Sequence, residues 1–111
     1  MIERALRNYL EGKLTHRITF EAQKNPPEKY YILERTGGSK RNHVYSSMFA
    51  IQSYAGKLSE AMEMSHEAVE AMLGAVELDA VCSIELNSEY NFTDTAEKKY
   101  RYQAVFDVVH Y

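Results

Sequence analysis

The chain has 111 residues, 45% of them apolar, with a formal net charge of −3, which suits one domain over 1–111 with one modest core. So balanced a charge provides no global basic field for nucleic-acid phosphates. The single cysteine, Cys82, excludes an internal disulfide and fits synthesis in a reducing cytoplasm, while the lack of a long apolar run argues for a soluble, unsecreted protein with no membrane partner.

Ile2, Ala5, Leu6, Tyr9 and Leu10 recur at helical spacing with Glu3, Arg4, Arg7, Asn8 and Glu11 on the other face, which predicts a short amphipathic helix that Gly12 can end. Ile18, Phe20 and Ala22 alternate with Thr19 and Glu21, predicting a strand that stops before Pro26-Pro27. Two strand-like runs follow, Tyr30 to Arg35 and Val44 to Tyr54. Between them Thr36-Gly37-Gly38 and the basic Ser39-Lys40-Arg41-Asn42-His43 read as a mobile loop, too long for a two-residue turn.

Leu58, Ala61, Met62, Ser65, Ala68, Val69, Met72, Leu73 and Val76 form one stripe of a long helix, expected to pack on a sheet through Met62, Val69, Met72 and Leu73. Cys82, Ile84, Leu86 and Tyr90 alternate with polar residues. Tyr100, Tyr102, Ala104, Phe106 and Val108 do the same, so two half-buried strands are expected, joined by a polar, exposed connection from Asn91 to Lys99. The predicted fold is α+β: a largely antiparallel sheet of about five strands, with the long helix and the short N-terminal helix packed on one face.

Chemistry has few candidates. His16, His43, His66 and His110 are scattered, so no metal is expected. Ser46, Ser47, Ser53 and Ser59 lack a nucleophile-elbow context, and Cys82 falls on the apolar phase of its strand, which predicts a buried, inert thiol. Gly37-Gly38 lies between strands rather than at a helix N-terminus, which argues against a phosphate cradle. The expectation is a protein without catalytic residues or cofactor, and not an enzyme. Glu60, Glu63, Glu67 and Glu70 stripe the long helix, and the Glu63/Glu67 pair at i,i+4 costs a few tenths of a kcal/mol. Solvation explains that stripe; so does a neighbouring subunit bringing Arg4 or Arg7 to it. The segment Gly37, Gly38, Ser39, Lys40, Arg41, Asn42 and His43 carries the same two readings, a solvated tip or an assembly loop that orders on docking.

Pro27, the strand ending Arg35-Thr36-Gly37-Gly38, the run Ile51-Gln52-Ser53-Tyr54-Ala55, the helix with Ala61, Val69 and Leu73, and the final pair of strands together span most of the chain. In this order they resemble the tail terminator, or tail completion, family of tailed phages and prophages. The resemblance implies a small α+β structural subunit of the virion tail, made in the host cytoplasm. It would assemble with itself as a ring, a hexamer, on the head-proximal end of the tail tube, stop tube polymerisation and offer the head-joining surface. The implied partners are tail tube protein and a head completion or connector protein, with DNA only passing through the ring. Another connector or tail-tube component, or a nucleic-acid- or ligand-binding α+β module, is the alternative.

Overall fold

The computed structural model describes residues 1–96 and 99–111; Glu97 and Lys98, part of the connection expected to be exposed, lie outside the described residues. In chain order come α1 (Ile2–Lys13), β1 (Ile18–Thr19), β2 (Tyr30–Arg41), β3 (Val44–Ala55), α2 (Leu58–Gly74) with a 3₁₀ turn at Ala75–Glu77, β4 (Val81–Asn91) and β5 (Tyr100–His110). They form one five-stranded sheet ordered β1-β2-β3-β5-β4. Every neighbouring pair is antiparallel except β1 with β2. This is the expected α+β architecture, with both helices on one sheet face.

Alternation along the central strands builds the core. Tyr31, Leu33, Phe49, Ile51, Ala104, Phe106 and Val108 point to the helical layer and meet Leu6 and Leu10 of α1 and Ala61, Met64, Ala68 and Met72 of α2. Burial pushes the Tyr31 phenol well above its ordinary pKa, with the nearby Glu67 charge acting in the same direction. Its hydroxyl donates to the Met64 carbonyl at 3.3 Å, which anchors the sheet to α2.

Several expectations need correction. The helix α1 runs through Gly12 to Lys13 and ends where the Leu14 N–H returns to the Leu10 carbonyl. Only Ile18 and Thr19 pair as strand. Beyond them the Thr19 hydroxyl donates to the Glu21 carbonyl, turning the chain, and Phe20 is left exposed. On α2, Val69 and Met72 are buried and Leu73 is half-buried, but Met62 is 38% exposed and Met64 takes its place inside. Because α1 packs alongside α2, the buried arc turns toward Met64, Ala71 and Ala75.

Bulges account for two further departures. A register shift between Val81 and Ser83 lets Val81 occupy the buried place opposite His110 and turns Cys82 outward, so the thiol is exposed rather than buried. The shift between Leu86 and Ser88 then puts Tyr90 on the opposite face from Leu86. Both side chains are substantially exposed.

The segment read as a mobile loop is mostly strand. β2 continues through Gly37, Gly38, Ser39, Lys40 and Arg41, paired with Met48 to Val44 after a bulge at Thr36. The turn itself is only Asn42-His43, with φ of 52° and 67°. Both residues have the left-handed backbone that a two-residue type I′ hairpin needs, and asparagine and histidine adopt it more readily than most side chains. Gly38 has a separate role. A Cβ there would stand 2.5 Å from Arg35 Nη2 and 3.2 Å from Ser47 Oγ, so its hydrogen makes room for the Arg35 guanidinium.

Candidate functional site

The far end of the hairpin brings together the basic side chains of the predicted assembly segment. From Glu34 to Arg41, β2 is exposed at every residue, whereas its first part, from Tyr30 to Leu33, is buried. Strand alternation sends Arg35 and Lys40 toward the helical side and Arg41, Ser39 and Glu34 toward the open side. Lys40 Nζ sits 5.1 Å from the Tyr45 ring centre, and Tyr45 stacks on His110 at 5.2 Å with planes 5° apart. The Lys40 ammonium thus lies against the ring of Tyr45, a cation–π contact worth about 0.5–1 kcal/mol at an exposed site.

Below this stack lies a polar chain that sequence spacing could not reveal. Arg35 Nε donates to Ser47 Oγ at 3.2 Å, Ser47 Oγ lies 2.7 Å from His110 Nε2, and His110 Nδ1 lies 3.2 Å from the Tyr111 carbonyl. The Tyr111 main-chain oxygen can only accept, which assigns the proton of a neutral His110 to Nδ1 and leaves Nε2 to accept from the Ser47 hydroxyl. Serine and histidine in contact suggest a nucleophile and its base. Yet Ser47 and His110 are only 4% and 3% exposed, so the arrangement satisfies buried polar groups; Ser47 lines a cavity of about 410 Å³ and His110, with Arg35 and Tyr45, one of about 240 Å³.

The proposed helix contacts separate into occupied and open groups. Arg7 is engaged within its own chain, bonding Glu11 at 2.9 Å and the Ile18 carbonyl at 3.3 Å. Glu60 is paired with Lys29. That hydrogen bond is the main reason the Glu60 carboxyl lies below its ordinary pKa and the Lys29 ammonium above. Glu60 thus has a partner within the chain, on the segment just before β2 and outside its own helix. Arg4, Glu63, Glu67 and Glu70 are exposed. The last two line an open groove of about 580 Å³ with Tyr9, Lys13 and Leu14 of the α1 end.

The sheet face away from the helices carries a ladder absent from the sequence expectations. Tyr30 stacks on Tyr54 at 4.5 Å, Arg101 sits 4.3 Å from the Phe92 ring and 5.5 Å from Tyr54, and Arg101 Nη1 donates to the Tyr54 hydroxyl at 3.0 Å. In the next row, Tyr54 donates to Gln52, Gln52 to Gln103, and Gln103 to Tyr90, at 3.1, 2.9 and 2.6 Å. Its residues come from four separate strands, Tyr30 from β2, Gln52 and Tyr54 from β3, Tyr90 from β4 and Arg101 and Gln103 from β5, so no local pattern in the sequence marks it.

Among the described residues, no three His, Cys, Asp or Glu side chains gather as a metal site. Among the same residues no helix is long and apolar enough to cross a membrane. Neither a protein-family model nor a curated protein sequence matches this chain.

Proposed function

We propose that this protein is a structural subunit that assembles as a ring on the head-proximal end of a phage tail tube, stops tube growth and offers the surface for head joining. One observation carries the reading. The segments that resemble tail terminators, ending in Gly37-Gly38 and in Tyr54-Ala55, fall on the two strands of one hairpin, and the hairpin's far end is exposed and basic. Stacked tube rings propagate through heterologous contacts until a subunit matches one ring face and presents another shape on the opposite side. Such a stop needs surfaces and symmetry but no reacting group. Avidity around the ring lets individually weak contacts suffice.

Deleting the gene from a host carrying the phage genome tests this directly. Heads and tails should then remain unjoined, with tails of uncontrolled length in electron micrographs. Joined particles with normal tails would reject the assignment. A second reading draws on the open sheet face, where Arg101, Phe92, Tyr54 and Tyr90 have the composition of a stacking platform for single-stranded nucleic acid. Its mark would be binding to an oligonucleotide that weakens steeply with salt and is lost in Arg101→Ala.

A further inference from the structure

The sheet has two free edges, and their charges are opposite. On one side β1 covers β2 at Tyr31 and Ile32, so among the described residues the outer edge of β2 from Glu34 to Arg41 has no strand beside it. On the other side, among the described residues, β4 pairs with β5 alone. Among the described residues no backbone bond reaches the outer side of β4 from Cys82 to Asn91. The β2 edge carries Arg35, Lys40 and Arg41 against one acid, Glu34, while the β4 edge carries Glu85 and Glu89 and no cation. Unpaired edges of this length are templates for another strand.

We propose that the β2 edge of one copy pairs with the β4 edge of the next, joining the sheets of neighbouring subunits into one. Direction permits it. β2 and β5 run one way and β3 and β4 the other, so a neighbour in the same orientation brings its β2 antiparallel to β4. Charge selects this heterologous contact over the two-fold alternatives. A β4–β4 pair would set Glu85 and Glu89 near their own copies, and a β2–β2 pair would do the same to Arg35, Lys40 and Arg41. Only the mixed pair opposes unlike charges.

Side-chain phase then fixes a register. Glu85 lies on the open face, directly opposite Asp107, while Glu89 lies on the helical face, where it accepts from Ser65 at 2.6 Å. Placing the neighbour's Arg41 opposite Glu85 keeps both on the open face and offsets the Glu85/Asp107 repulsion. With Asn87 still bulged, the same alignment sets Ser39 opposite Ser88 and Gly38 opposite Glu89. The Arg35 guanidinium, which lies over Gly38, then meets the Glu89 carboxylate on the helical face. The pairing supplies the heterologous contact that the ring reading requires, and rests on that reading only for its biological setting.

Disulfide trapping in the full chain tests it. On a Cys82→Ser background, Ser39→Cys with Ser88→Cys places two thiols in one molecule that are separated by three strand spacings and a further offset along β4, more than roughly 14 Å, too far to join within a chain. Opposed residues across an antiparallel pair are about 4.5–5.5 Å apart, within disulfide reach. Mild oxidation should yield a ladder of covalent multimers on a non-reducing gel, with the thermal transition retained. The out-of-register pair Ser39→Cys with Ser83→Cys should give no such ladder. Without trapping, Glu85→Lys should weaken self-association several-fold at low salt as seen by sedimentation, and adding Arg41→Glu should restore most of the loss. If oligomers form yet neither the ladder nor the charge rescue appears, edge pairing is wrong and the ring stands on another surface. Covalent dimers from Ser88→Cys alone would show a two-fold β4 contact and overturn the proposal. A protein monomeric at all concentrations would defeat both this pairing and the ring, whereas a ladder alongside normal tails in the deletion strain would keep the pairing and defeat only the tail role.

Discussion

Two serines on the helical side of β3 show how neighbours set the value of a hydroxyl. Ser53 is fully buried and its Oγ has no hydrogen-bond partner among the described residues, whereas Ser47, six positions earlier on the same phase, sits between Arg35 and His110. An unpaired buried hydroxyl costs about 1–3 kcal/mol, so Ser53→Ala should leave stability unchanged or raise it by up to about 1 kcal/mol. Ser47→Ala should instead lower it by about 1–3 kcal/mol, because the His110 acceptor would then be buried alone. Urea unfolding of both variants checks the opposite signs. Tyr31 adds a dependence on pH. Its phenol is held protonated by burial, so its folded pKa lies above the unfolded value of about 10, and the folded state keeps a proton that the unfolded chain loses. That stabilisation is complete below about pH 10 and declines as pH rises further. Tyr31→Phe should flatten the alkaline loss of stability at the cost of about 1 kcal/mol near neutrality. An equally steep alkaline decline in the variant would exclude Tyr31 as its source.

Elements were legible in the sequence where a single periodicity governed them. The five-turn stripe of α2 and the clean alternation of β5 could be read directly, and their order implied the two-layer fold. What the sequence hid was made by contacts between elements. Burial of Met64 in place of Met62 depends on where α1 lies, so Met72→Ala should cost about 2–5 kcal/mol and Met62→Ala much less, as thermal melts can compare. The β4 bulges that expose Cys82 leave no mark in hydrophobic pattern, because register is a property of the pair. The hairpin was misread for a local reason. Glycines at 37 and 38 suggested a break, yet the β3 partner continues the ladder past them and moves the turn to Asn42-His43. His43→Gly should therefore stabilise the hairpin by several tenths of a kcal/mol, and His43→Val should destabilise it, since a β-branched side chain resists positive φ. Similar unfolding midpoints for the two variants would argue against the type I′ turn.

At the scale of the molecule, the candidate surfaces differ in their expected response to salt. The Ser47–His110 pair and both sheet edges were invisible to spacing because each joins residues distant in sequence, while the basic character of the hairpin end was plain from Lys40 and Arg41. The helix contact was legible in part: Arg7 and Glu60 have partners in their own chain, leaving Arg4 against Glu63, Glu67 and Glu70 as its open groups. Exposed ion pairs contribute about 0.2–1 kcal/mol each, and the Debye length falls from roughly 30 Å at 0.01 M salt to about 3 Å at 1 M. Arg4→Glu should thus weaken self-association modestly at low salt and hardly at all at high salt, with Glu67→Arg recovering part of the loss. Edge pairing adds main-chain hydrogen bonds that salt does not screen away, so the oligomer itself should persist at about 1 M salt even as its charge contacts fade. Sedimentation across this range separates the two contributions. Complete dissociation of the wild-type oligomer at high salt would leave charged side chains as the whole of the contact and remove the reason for joining β2 to β4.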